Sequence, residues 1–330
     1  MTSASDTPDE LLVVRPSSLG DVVYALSIVP DILRQRPGTA IDWVAESGFV
    51  QLVEMCPDVR RIVPFALRRW RKAPLAPRTW REIATFRRDL RATRYGVILD
   101  LQEQLKGALI ARMGRGRRHG FDRASIREPL ATLFDDVHHR VPRDLHFVHR
   151  ARRLAGGAFG YVPEGLPRWN FRVPATRAPL PERPYVVVLH ATSRDDKLWP
   201  EANWRGVLDA WHRAGYASVL PWGSAAEHAR SERLAHGIGG AIVPGWLSLQ
   251  EVAAILARAT LAVGVDTGFT HLAAALGTPT VALFNATDPA RHGVACAGAH
   301  GIDLGARGSA PSVDDVLAAA GAQLRSAPRG

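Results

Sequence analysis

The stretch that decides the fold is Val-Gly-Val-Asp-Thr-Gly-Phe-Thr-His-Leu, residues 263–272. The apolar run 261–265 reads as a strand buried on both faces of a parallel sheet. Asp266, Thr267 and Gly268 form a turn, and residues 270–276 read as a helix. A strand that passes through small residues into a helix directs free backbone N–H groups and the positive end of the helix dipole at one point, which suits a phosphate or pyrophosphate. Every α/β protein has several such turns and most are structural, so this one gains weight from two companions. One is a second glycine turn, Ser17-Ser18-Leu19-Gly20-Asp21, in the other half of the chain. The other is a polar loop between them, residues 190–200.

Outward from residue 263 the same alternation continues. Strands are expected at 185–189, 217–221 and 280–284, and helices at 201–214, 225–236 and 249–257. A last helix spans 312–323, with Ser312 as its cap and Asp314 and Asp315 in its first turn. In the first half, strands are expected at 11–14, 41–45, 61–65, 95–101 and 119–121. Helices there start at Asp21, where Pro30 is expected to introduce a kink, and at 48–55, 78–94 and 105–113. The 78–94 helix offers Trp80, Ile83, Ala84, Phe86 and Leu90 for packing. Strands alternating with helices imply parallel sheets with right-handed crossovers. Six prolines fall within residues 163–184, which have no helical period and read as a linker. The expected organisation is therefore α/β, with domains at 1–165 and 185–330, a linker at 166–184, and a cleft at the strand C-terminal ends.

Composition narrows the class. An apolar fraction of 46% over 330 residues supports two buried cores rather than disorder. No apolar run reaches the roughly 18 residues of a membrane span. The polar, acidic start, residues 1–10, has no apolar segment of the kind that marks a signal peptide. Cys56 and Cys296 have no metal-site spacing and fit free thiols in a reducing cytoplasm. The formal net charge is +10, and it is concentrated. Residues 60–94 hold 12 basic and 2 acidic side chains, so this segment equals the whole excess and points to an acidic partner. Nucleic acid, an anionic membrane surface, and a phosphorylated, carboxylated substrate all fit that description. Arg outnumbers Lys 39 to 3, which suits bidentate anion binding and a coding bias equally.

Several side chains can carry chemistry. Asp21 opens the first helix, where the dipole keeps a carboxylate ionised. It would act as a base if a hydroxyl came within hydrogen-bond reach, and plain helix capping explains its position as well. The loop His190-Ala-Thr-Ser-Arg-Asp-Asp-Lys-Leu-Trp-Pro200 combines hydroxyls, cations and carboxylates after a strand. Lys197 is one of only three lysines, and its point charge suits a phosphate oxygen on a leaving group. Asp195 and Asp196 could bind a divalent cation, although pairing with Arg194 or capping is the simpler role. Glu227 follows Pro221-Trp222-Gly223 and could bind ribose hydroxyls or simply stabilise a first helical turn. His271 either contacts phosphate or packs. His138, His139, His146 and His149 lack zinc-site spacing. There is no Walker A, GxGxxG or GxSxG sequence.

Taken together these residues resemble the lipopolysaccharide heptosyltransferases, glycosyltransferase family 9. The resemblance runs through Ser17-Ser18-Leu19-Gly20-Asp21-Val22, Ile41-Asp42-Trp43-Val44, Arg68-Arg69-Trp70-Arg71-Lys72 and Arg127-Glu128-Pro129-Leu130. It continues through the 190–200 loop, Leu220-Pro221-Trp222-Gly223, and Val265-Asp266-Thr267-Gly268 with His271-Leu272. It implies a GT-B fold, two Rossmann-like domains whose parallel sheets face each other across a cleft, with the last helix able to pack back on the first. It also implies inverting transfer of L-glycero-D-manno-heptose from ADP-heptose to the first Kdo of Kdo2-lipid A, with no metal or other cofactor. Asp21 would be the general base, with Lys197 assisting departure of the diphosphate. Ser18, Thr192, Ser193, Lys197, Glu227, Leu247, Asp266, Thr267, Gly268 and His271 would bind the donor. Arg68, Arg69, Arg71, Lys72 and Arg127 would bind the acidic acceptor. Ser193 stands where the family is expected to have Thr, which keeps the hydroxyl, and Leu247 where it is expected to have Met, which conserves volume. A peripheral position on the anionic cytoplasmic face of the inner membrane, and no nucleic-acid partner, follow from the same resemblance. The alternatives are a second-heptose transferase, heptosyltransferase II, a sugar-nucleotide epimerase of the same fold, and a nucleic-acid-binding protein using residues 60–94.

Overall fold

The computed structural model describes residues 10–326 apart from 177, 179 and 299. The chain forms two compact units that divide between Asn170 and Phe171. No described residue between Gly160 and Pro184 lies in a helix or strand.

The first unit is built on six parallel strands: β1 (Glu10–Val14), β2 (Ala40–Glu46), β3 (Val59–Phe65), β4 (Arg94–Asp100), β5 (Arg115–Phe121) and β6 (Val137–His139). Their order is β3-β2-β1-β4-β5-β6. This is the doubly wound order, in which crossovers leave β1 and β4 in opposite directions and open a crevice at their C-terminal ends. Residues 11–14 are fully buried because helices cover both faces of the central strand. The helix Leu19–Leu26 ends at Ser27, and a second helix, Ile28–Gln35, begins at once. Pro30 therefore falls in a first turn, where its missing N–H costs nothing, and the break comes before it instead of a kink at it.

Two features of this unit differ from expectation. In the helix Pro77–Leu90, Phe86 and Leu90 pack with Phe65 and Trp70, but Trp80 is 61% exposed, one residue off the buried stripe. The helix Phe147–Phe159, like β6, is absent from the sequence reading, because three arginines and two glycines hide its period. Arg150 and Arg152 are nevertheless buried, neutralised by Glu103 at 2.7 Å and Asp31 at 2.6 Å. Gly157 lies so close to β6 that a Cβ would meet His139 Nδ1 at 2.6 Å.

The second unit repeats the plan with β7 (Tyr185–Leu189), β8 (Ala217–Val219), β9 (Ala241–Ile242), β10 (Leu261–Val265), β11 (Thr280–Phe284) and β12 (Gly301–Gly305). The order is β12-β11-β10-β7-β8-β9, again all parallel and again reversing between the first and fourth strands. The edge strands β9 and β12 are short or glycine-flanked, and the sequence pattern does not show them. The last helix, Val313–Ser326, buries Val316 and Ala320 in this unit's own core against the helix Glu201–Arg213 and strands β10 to β12.

Removing Asp31 would strand the buried Arg152 guanidinium. Asp31→Ala is expected to cost about 3–5 kcal/mol, read as a lowered denaturation midpoint; an unchanged midpoint would show that the pair is dispensable.

Candidate active site

In the second unit, β7 and β10 pair directly, so the loops that follow them are neighbours at the switch point. Asp266, 5% exposed, sits at the end of β10. Its Oδ2 accepts from Lys197 Nζ at 2.6 Å and from the Thr287 hydroxyl at 2.6 Å, while Oδ1 lies 3.2 Å from His271 Nε2. Burial pushes this carboxyl up, but hydrogen bonds and charge from His271, Lys197 and Thr287 outweigh it and hold the group well below the usual carboxylate range. The Thr270 hydroxyl donates to the Val265 carbonyl at 2.7 Å and closes the turn. Gly264 underlies it: a Cβ there would meet Thr270 Oγ1 at 2.2 Å and Leu189 Cβ at 2.7 Å. Thr267 and Gly268 begin the helix Gly268–Ala275, whose first N–H groups have no intrahelical acceptor.

The 190–200 loop divides its residues between core and surface. His190 is fully buried, its Nε2 2.7 Å from the Ser231 hydroxyl. Burial and the nearby Arg230 push its imidazole down to about 4, so it is a neutral core histidine. The Thr192 hydroxyl donates to the Asp266 carbonyl at 3.3 Å, and Ser193 is exposed. Asp196 is paired with Arg194 at the surface. The ammonium of Lys197 has three N–H donors and gives one to Asp266, which leaves others for an anion.

Glu227 stands at a third turn. Ser224 caps the helix Ala225–Ala235, and Glu227 Oε2 accepts from the Gly223 N–H at 2.7 Å. Its second oxygen has no partner among the described residues and can accept from hydroxyls. The Trp222 indole donates to the Pro244 carbonyl at 2.8 Å, which ties this turn to the segment holding half-buried Leu247.

In the first unit, Asp21 is the third residue of the helix Leu19–Leu26. Its Oδ2 accepts from the Ser18 N–H at 3.0 Å and the Ser18 hydroxyl at 2.6 Å, and its Oδ1 pairs with Arg15 at 2.8 Å. The Ser18 hydroxyl gives its one hydrogen to Asp21 and keeps its lone pairs to accept from a ligand. Burial raises the Asp21 pKa, but the charge of Arg15 and the Ser18 hydrogen bonds prevail and hold the carboxyl below its ordinary value. With its side chain 29% exposed, Asp21 is a carboxylate that a ligand can reach. Arg15 is itself buried and bonded to the Leu101 carbonyl beyond β4.

The basic segment is partly tied down. Arg69 pairs with Glu82 at 2.8 Å, and Arg78 and the Trp70 indole bond the same carboxylate. The Arg69 hydrogen bond, with help from Trp70 and Arg78, holds Glu82 down to about 2. Arg68, Arg71, Lys72 and Arg127 are exposed and have no ion-pair partner among the described residues. No group of three or more metal-ligating side chains occurs among the described residues.

Three contributors escape the sequence reading. Thr287 lies beyond β11, with nothing in its neighbourhood to single it out. Arg15 looks like an ordinary charge after a strand. Lys106 donates to the Ser17 hydroxyl at 2.8 Å, and burial and the charge of Arg15 push its ammonium pKa down. Its signal was present, since the rarity of lysine that marks Lys197 marks Lys106 equally.

With this geometry in hand, the comparisons with known proteins are specific. The model of glycosyltransferase family 9 (heptosyltransferase) matches residues 83–316. Lipopolysaccharide heptosyltransferase 1 of Salmonella typhimurium is 40% identical over 282 residues, spanning 84% of this chain and 89% of that protein. The structure of E. coli heptosyltransferase WaaC with ADP has a TM-score of 0.84 at 35% identity, covering 95% of this chain and 99% of that one. The WaaC structure with ADP-2-deoxy-2-fluoro heptose has a TM-score of 0.82 at 35% identity, covering 94% and 98%.

The electrostatics of Asp21 can be tested directly. Its carboxyl carbon is expected to titrate below 3.8 in a 13C NMR experiment, and Arg15→Met should move that titration upward. Because the folded pKa is the lower one, the pair's stabilisation is present above the unfolded-state value, about 3.9, and fades as pH falls through the folded value. A wild-type signal titrating above the ordinary carboxylate range would contradict this.

Proposed function

Since the chain belongs to glycosyltransferase family 9, the heptosyltransferases, we propose that it transfers heptose from ADP-heptose to the first Kdo of Kdo2-lipid A. The GT-B fold and heptose transfer in lipopolysaccharide biosynthesis come with the family, which sets aside the epimerase and nucleic-acid readings of the whole chain. The donor is supported by the nucleotide ligands of the WaaC structures. The observation that carries the assignment in this chain is the Lys197–Asp266–His271 cluster at the start of the helix Gly268–Ala275.

Lys197 and the free N–H groups of that helix receive the diphosphate, with Thr192, Ser193, Thr267 and Gly268 at its edge. Positive charge there stabilises the phosphate oxygen as the bond to the anomeric carbon breaks. This is the role a divalent cation serves in other transferases, and we propose no metal here. Glu227 accepts from the ribose hydroxyls, and Leu247 covers the nucleoside. Inversion in one displacement requires the Kdo hydroxyl to attack from the face opposite the diphosphate. Asp21 accepts the proton of that hydroxyl. Held below the ordinary carboxylate range, it is a weak base for a resting alcohol and becomes effective as the hydroxyl acidifies along the reaction path. Arg68, Arg71, Lys72 and Arg127 attract the acceptor's carboxylates and phosphates, and Arg69 does so while shared with Glu82. No described helix is long and apolar enough to cross a membrane. The proposed lipid acceptor and the basic segment 60–94 support a peripheral position on the anionic cytoplasmic face.

Incubation with ADP-heptose should give product with Kdo2-lipid A and little with the once-heptosylated acceptor; the reverse preference would assign heptosyltransferase II activity. Asp21→Asn keeps the cap and the shape. It should bind ADP-heptose normally and lose about 10²-fold or more in kcat, whereas near-normal turnover would reduce Asp21 to a helix cap. Lys197→Ala should lower kcat more than it weakens donor binding, and EDTA should leave turnover intact. A loss of donor binding alone, or turnover abolished by EDTA and restored by Mg²⁺, would contradict this arrangement.

A further inference from the structure

The helix Pro77–Leu90 carries a second stripe that the core does not use. Trp80, Ala84, Arg87 and Arg91 are spaced by four, three and four residues, so they lie along one side of the helix and its C-terminal turn. All four are exposed, Trp80 at 61%, and Leu75 in the turn before the helix is exposed at 90%. Ile83 and Arg88 border the same shallow groove. Arg88 pairs only with its neighbour Asp89, and Arg87 and Arg91 have no ion pair among the described residues. A large indole left in water beside unpaired arginines, with the exposed Leu75 five residues before it in the chain, forms an amphipathic surface with no partner inside its own unit.

We propose that this stripe seats the protein on an anionic lipid bilayer, with Leu75 and Trp80 in the boundary between headgroups and acyl chains and Arg87 and Arg91 on lipid phosphates. Charge complementarity selects this occupant. The stripe lies within residues 60–94, where 12 basic side chains face 2 acidic ones, in a chain whose formal net charge is +10. Its chemistry is that of an interfacial helix. Tryptophan concentrates where one end of the ring is apolar and the other wet, and arginine lays its stem on apolar surface while the guanidinium reaches phosphate. A single-stranded nucleic acid would use the arginines and the indole, but it gives no reason for the exposure of Leu75, which has no ring for a base to stack on. The inference extends the reading that the acceptor is a lipid: it names the face that brings the enzyme to that lipid's membrane.

The test uses the full chain and vesicles of phosphatidylethanolamine with phosphatidylglycerol, against vesicles of phosphatidylcholine alone, in co-sedimentation at physiological salt. Wild type should sediment with the anionic vesicles. Leu75→Ser/Trp80→Ser and Arg87→Ser/Arg91→Ser should each bind at least about tenfold more weakly, while Arg87→Lys/Arg91→Lys, which keeps the charge, retains binding. Turnover of a deacylated, water-soluble acceptor should stay within about twofold of wild type in every variant. Serine variants that sediment like wild type would overturn the proposal, as would a wild type that ignores anionic vesicles yet binds a short oligonucleotide at the same salt. The vesicle arm decides the docking face alone; failure of wild type to turn over any Kdo-bearing acceptor would count against the proposed function instead.

Discussion

Asp266 is a buried carboxylate that three segments must satisfy together. Lys197 comes from the loop after β7, His271 from the helix after β10, and Thr287 from the chain beyond β11. Without its partners a charge this buried would be untenable, and removing one partner of such a pair typically costs about 3–5 kcal/mol. The same requirement fixes three loops that sequence order leaves far apart. It also holds the Lys197 ammonium on Asp266, two residues before the helix Gly268–Ala275, so in the proposed reading the carboxylate that anchors the cation helps build the anion site.

Behind that cluster stands a topological constraint used twice. In each unit the strand order reverses between the first and fourth strands, and the loops at the C-terminal ends of those two strands are left facing open space. The first unit fills this place with a carboxylate, Asp21, locked by Ser18 and Arg15. The second fills it with a cation and helix N–H groups. In the proposed reading the departing diphosphate asks for a cation and the attacking hydroxyl for a base, and the repeated architecture has a position for each.

Much of this is legible in the chain itself. The central strands are continuous apolar runs because helices cover both their faces, and Gly20 and Gly268 mark the starts of the helices that follow those runs. Asp21, Lys197 and Asp266 stand out by position or rarity. Three of the four edges are not legible. β6, β9 and β12 are short, polar or glycine-flanked, and the helix Phe147–Phe159 conceals its buried face because two of its core residues are arginines whose partners lie more than forty positions away. Trp80 shows the converse failure: an aromatic at helical spacing reads as core, yet one residue of helical phase turns it to the surface. Tertiary ion pairs and exact helical phase are relations between elements, and a linear pattern carries neither.

The central claim is that the second unit's switch point holds the nucleotide while the first unit's holds the base. Hydrogen–deuterium exchange of the full chain with and without ADP, in the absence of acceptor, tests it most directly. The account predicts slowed exchange in residues 190–198, 222–228 and 266–272, with residues 15–26 unchanged. Protection confined to residues 15–26, with none in the second unit, would contradict it.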